Sequence, residues 1–230
     1  MNLVRASLLT LAVMIASPKV YAELIKDPKI DPIAKAATKI GNEDYYGAIY
    51  EANKALEIYK EKPNRALAYY IRGLSKKSLN DCNQAISDFD KSIELDPKRA
   101  LYYFYRGQCK GELEQFYDVI SDMNQAIKLN RLSSVGIGKQ DLVGIYFQRA
   151  VARFMTGDRK GSINDYTFII DFNNDFPNTR GDTTNKGDAY YGRGYNKKFL
   201  NDIVGACYDF RKALSLGHMH ANEQLKESCK

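Results

Sequence analysis

Few residues of this 230-residue chain have the types and spacing that chemistry requires. Both histidines, His218 and His220, sit in "GHMH" near the end of the chain. Two imidazoles on one turn hold zinc weakly unless cysteine or carboxylate ligands join them. The stretch "DFNNDFPNTRGD" (171–182) places Asp171, Asn173, Asp175 and Asp182 at the spacing of a calcium loop. Phe176 stands where that loop needs glycine, and the closing bidentate glutamate is replaced. "VGIGKQ" (135–140) lacks both the upstream glycine and the Ser/Thr of a phosphate-binding loop. With no histidine before residue 218, neither a serine nor a thiol nucleophile has an evident base. The expectation is a chain with no catalytic residue, no metal and no cofactor. The four cysteines, Cys82, Cys109, Cys207 and Cys229, are more informative, because their role depends on the compartment.

Residues 1–22, "MNLVRASLLTLAVMIASPKVYA", have the three parts of a secretory signal: Arg5, the apolar run Ala6–Ala16, and Pro18 ahead of Val20-Tyr21-Ala22. Small residues at Val20 and Ala22 place cleavage after Ala22. An uncleaved anchor is the alternative reading, but the run falls short of the roughly 20 apolar residues a bilayer needs. The expected mature chain, 23–230, is exported without membrane insertion, to the periplasm or a compartment such as a thylakoid lumen. Losing Arg5 and Lys19 leaves 32 basic against 28 acidic residues, evenly scattered, which argues against nucleic acid as a partner.

The body of the chain repeats itself. "AYYIRG" (68–73), "LYYFYRG" (101–107), "GIYFQRA" (144–150) and "DAYYGRG" (188–194) each run aromatic, aromatic, any residue, arginine, small residue. The small residues Gly73, Gly107, Ala150 and Gly194 are spaced by 34, 43 and 44. Downstream lie Ala85, Val119, Ser162 and Ala206, and four further on Phe89, Met123, Tyr166 and Phe210, each preceded by an aspartate. Apolar positions such as Ala85, Ile86, Phe89 and Ile93 recur with a helical period, and Asn80-Asp81 or Asn201-Asp202 starts the second helix of a pair.

This pattern resembles the tetratricopeptide repeat (TPR), a helix–turn–helix unit of 34 residues. Copies fall at about 66–99, 100–133, 143–176 and 187–220. A divergent copy at about 29–62 has Ala36, Ala48, Ala52 and Ala55 at its close-packing sites. The resemblance implies an all-α fold, a right-handed α-solenoid of about five repeats closed by a capping helix at 221–229. It also implies a non-enzymatic scaffold that binds a protein or peptide in its groove. A permanent structural subunit of an envelope or membrane complex, using its convex face and edge loops, is the competing class. The residue four after each arginine, aromatic in the family, is basic here (Lys76, Lys110, Arg153, Lys197), and a closing proline remains only at Pro97.

Within this frame each motif residue has an expected task. The small residue lets two helices approach, and the first aromatic fills the space between them. Each arginine precedes an aspartate by sixteen residues, which predicts four structural clasps: Arg72–Asp88, Arg106–Asp122, Arg149–Asp165 and Arg193–Asp209. The second aromatics, Tyr70, Phe104, Phe147 and Tyr191, are expected to line the partner-binding groove, with packing against neighbouring first helices as the alternative. The extra residues of 131–142 and 175–186 enter between repeats, flanking the fourth. Repeat geometry selects Cys82–Cys109 and Cys207–Cys229 from the three disulfide connectivities, because crossed pairs would span about two repeats against a Cα limit of about 7 Å. Buried free thiols are the alternative.

Overall fold

The structure, a computed structural model, describes residues 31–132, 138–175 and 182–229. The expected signal (1–22), the middle of the first insertion (133–137), much of the second (176–181) and the side chains of Asn173, Asp175 and Asp182 lie outside the described residues. Eleven α-helices, and no strand, make up the described chain. In order they are α1 (Pro32–Gly41), α2 (Tyr45–Ile58), α3 (Lys62–Ser78), α4 (Cys82–Leu95), α5 (Ala100–Glu112) and α6 (Phe116–Leu132). They continue as α7 (Lys139–Met155), α8 (Arg159–Asp175), α9 (Asp182–Phe199), α10 (Ile203–Ser215) and α11 (Ala221–Ser228). None is long and apolar enough to cross a membrane.

Local chemistry sets the pairing. At the turn into each even-numbered helix up to α10 one residue takes a positive φ: Glu43, Asn80, Glu114, Gly157 and Asn201. An aspartate usually follows and caps the next helix, as Asp44, Asp81 and Asp202 do by accepting from Gly47 N, Gln84 N and Gly205 N. One left-handed residue reverses the chain, and one carboxylate satisfies an orphan amide. α7 and α9 begin at Lys139 and Asp182, ahead of the expected repeat starts at 143 and 187, so part of each insertion extends a helix.

The helices sort into two compact units. Among the described residues, the first comprises those up to Gln115 with those of Asn124–Gly138, and the second those of Phe116–Met123 with those from Lys139 onward. The first unit's core gathers Ile33, Ala36, Ala52, Ala66, Ile71, Ala85 and Phe89. In the second, Ile145, Ala150, Ile169, Ala206, Phe210 and Ala213 are wholly buried. Small motif residues make these cores close-packed: a Cβ on Gly73 would stand 2.8 Å from the Phe89 ring, and one on Gly194 would stand 3.0 Å from Phe210. The expected close approach of the two helices in a pair is therefore ring against backbone.

Candidate interaction surface

The motif residues divide into those the scaffold consumes and those it leaves available. Arg72 Nη2 donates to Asp88 Oδ1 at 2.6 Å and Arg72 Nε to Oδ2 at 3.0 Å. Arg149 and Arg193 fork onto Asp165 and Asp209 in the same way, at 2.6–2.9 Å. Asp88, Asp165 and Asp209 are buried, the last completely. Asp122, the expected partner of Arg106, is equally buried, and Arg106 Nη1 donates to Asp90 Oδ1 at 2.6 Å.

Two further contacts were not foreseen. The basic residue four after the arginine supplies a second counter-charge: Lys76 reaches Asp88, Arg153 reaches Asp165 and Lys197 reaches Asp209, each at 2.8 Å. One helical turn separates the two cations, so both face the same carboxylate, and the i, i+4 spacing was the signal. In three of the repeats the arginine's outer nitrogen also donates to a side chain of the preceding second helix. Asn53 accepts from Arg72 at 2.7 Å, Asp90 from Arg106, and Thr167 from Arg193 at 3.1 Å. The guanidinium thus ties neighbouring repeats together. Beneath it lies the first aromatic, with Arg72 over Tyr69 at 5.1 Å, Arg106 over Tyr103 at 5.5 Å, Arg149 over Tyr146 at 5.0 Å and Arg193 over Tyr190 at 5.3 Å.

The second aromatics part company. Tyr70 is 2% exposed and Phe104 4%, so the expectation that all four rings line an open groove is corrected. Tyr70 lies 4.9 Å from the Tyr102 ring and 5.8 Å from Tyr105, both on the next first helix, and Phe104 lies 5.0 Å from Tyr105. Rings of the next first helix cover Tyr70, which was the alternative reading, whereas the ring against Phe104 belongs to its own helix. Phe147 and Tyr191 in the second unit stay half-exposed.

Around Tyr191 the second unit carries an aromatic strip that sequence reasoning missed. Tyr191, Tyr195 and Phe199 follow one another along α9, with centroids 6.0 and 5.3 Å apart. Phe154 of α7 stands 5.8 Å from both Tyr195 and Phe199. The i, i+4, i+8 spacing in "YGRGYNKKF" was the available signal. Phe199 is 57% exposed, and the adjacent Met155 and Leu200 are exposed too. At one end His218 stacks on Tyr191 at 4.1 Å, with its Nε2 3.5 Å from Asp188. Burial first, then Tyr195, Glu223 and Glu227, pushes the Tyr191 phenol above its ordinary range. At the other end Arg159 covers Phe154 at 3.8 Å and Phe199 at 4.7 Å, its Nη1 donating to Phe154 O. The strip offers flat apolar faces with donors at both ends. No group of three or more metal-ligating side chains occurs among the described residues.

The cysteines also divide. Cys207 and Cys229 stand at disulfide geometry, Cα atoms 5.7 Å apart, tying α10 to the end of α11. Cys82 and Cys109 are neighbours as expected, but they are free buried thiols, and the expected Cys82–Cys109 bond is absent. Cys82 Sγ donates to Glu112 Oε2 at 3.0 Å instead. Burial, the neighbouring thiol and this carboxylate push the Cys82 thiol well above its ordinary range.

No protein-family model and no curated protein matches the sequence. Solved structures do resemble the fold. YrrB, described as a TPR protein with an unusual peptide-binding site, superposes with a TM-score of 0.68 at 19% identity, over 92% of this chain and 99% of that one. MamA gives 0.65 at 20% identity over 85% of this chain and 94% of its own, and MamA from Desulfovibrio magneticus RS-1 gives 0.65 at 14% over 84% and 96%. At such identities the likeness speaks for architecture alone, and the architecture is that of the tetratricopeptide repeat.

Proposed function

We propose that the chain is a non-enzymatic scaffold that holds a segment of another protein against the aromatic strip of its second unit. One observation carries this reading: Phe154, Tyr191, Tyr195 and Phe199 form a connected, partly open set of rings that takes no part in the Arg–Asp clasps and is anchored to the core where Tyr191 meets Phe210 at 5.8 Å. Flat rings give contact area at low entropic cost, the usual composition of a binding hot spot. YrrB, of the same fold, is described as having a peptide-binding site, which supports the class of ligand. Crosslinking pull-down from the source cell, with wild type beside Tyr195→Ala and Phe199→Ala, tests the reading. The variants should lose the partner captured by wild type while keeping their helical circular dichroism. Equal recovery by all three would move the site elsewhere.

The same proposal places the protein outside the cytoplasm, most simply in a periplasm. The signal-like segment 1–22 and the disulfide geometry of Cys207–Cys229 support this. Intact mass of the exported protein should show cleavage after Ala22 and one pair of thiol protons missing.

The second reading, a permanent subunit of a larger complex, is favoured by exposed side chains on outer helix faces. Tyr46 and Tyr50 of α2 are 75% and 58% exposed, and Val204 and Tyr208 of α10 are 85% and 52%. Aggregation of the purified chain, relieved by substituting these residues, would favour it over the strip.

A further inference from the structure

We infer that the segment seated on the strip is acidic, with a carboxylate that pairs with Arg159 beside an apolar side chain that packs on Phe199. This rests on the strip being the binding surface and adds the chemistry of its ligand. Cations nearby are matched by acids: Arg153 by Asp158 and Asp165, Arg193 and Lys197 by Asp209, Lys198 by Glu227. Arg159 and the adjacent Lys160 are the exceptions. Among the described residues no carboxylate lies within ion-pair distance of either.

The guanidinium is nonetheless held in place. Its plane covers two rings and one nitrogen is tied to a backbone carbonyl, leaving its other N–H groups available. A segment covering Phe199 also takes water away from Arg159. If neutral, it leaves a desolvated charge unpaired, which is costly. If basic, it meets repulsion from Arg159 and Lys160. A carboxylate offsets the lost hydration and accepts two parallel N–H bonds, the geometry in which arginine pairs best. The charge mismatch therefore selects an acidic peptide with an adjoining aromatic or aliphatic residue.

Selection of a random-peptide display library on the full chain, followed by fluorescence anisotropy with the recovered peptide, tests this. The recovered peptides should carry Asp or Glu next to an apolar residue, and replacing that acid by its amide should weaken binding about tenfold or more. Arg159→Gln should cost the acidic peptide the same factor and leave the amide peptide unchanged, whereas Arg159→Lys should recover only part of the loss. Recovered peptides without acids, or acidic peptides indifferent to Arg159→Gln, would overturn the inference. If Phe199→Ala still abolished their binding, the strip would stand and only its charge preference would fall. Indifference to Phe199→Ala as well would remove both. Binding to phosphatidylglycerol vesicles, lost on Arg159→Gln, with no peptide recovered, would assign the cation to a membrane surface and overturn the peptide reading.

Discussion

The two units use one motif to opposite ends. In the first, the ring after the motif's leading tyrosine is sealed; in the second, it is left half-open. The difference lies in the helix that packs next to it. α5 presents Tyr102 and Tyr105 to Tyr70. Counted from their motif glycines, Gly107 and Gly194, the matching residues of α9 are Ala189 and Gly192. These are too small to cover Phe147. Gly192 is occupied differently, because a Cβ there would stand 2.5 Å from the Tyr166 ring. The larger ring of Tyr166, in place of the phenylalanines at 89 and 210, fills the space that a side chain on α9 would need. Whether a repeat leaves its second ring sealed or half-open is thus decided by the next repeat.

The clasp should be common to both units, and losing it should have the largest effect. Asp209→Ala leaves Arg193 and Lys197 without their shared counter-charge, and Asp88→Ala does the same to Arg72 and Lys76. Each should destabilise by about 3–5 kcal/mol in urea titrations. A loss in one unit alone would mean the shared motif is not a shared device.

The rings should then separate the units. Tyr70→Ala removes a buried ring and should cost about 3 kcal/mol, whereas the half-open Phe147→Ala should cost about 1 kcal/mol. Equal costs in thermal melts would remove the distinction between a sealed and an open ring.

The smallest effect concerns the turns. Glu114 in the first unit and Gly157 in the second occupy the same left-handed position, at φ 58° and 88°. Glu114→Gly should stabilise by about 0.5 kcal/mol, relief of backbone strain narrowly exceeding the entropy that glycine loses. Gly157→Ala should destabilise by about 1 kcal/mol. A Glu114→Gly variant no more stable than wild type in urea would show that the turn is already unstrained.

Periodicity and the recurrence of tyrosine, arginine, glycine and aspartate were sufficient to read paired helices, their turns and the partner of each clasp described within a unit. Those features depend on residues close in sequence, or at a fixed offset inside one helix pair. Arg193 and Asp209 meet because a helical hairpin of fixed length brings them level. The second cation on Asp88, Asp165 and Asp209 was legible too, since it lies one turn from the arginine.

What the sequence could not decide depends on the neighbour across a repeat boundary. Tyr70 and Tyr191 stand in motifs that differ only at the next residue, Ile71 against Gly192, yet one is enclosed by rings of α5 and the other stacks on His218 at the edge of an open strip. Cys82 and Cys109 are level, as Cys207 and Cys229 are, but only the latter pair stands at disulfide geometry, while Cys82 donates to Glu112. A side chain's exposure and its final partner are settled by whichever residues fill the space beside it. That space is a property of the packed helices, which the residue's own motif does not contain.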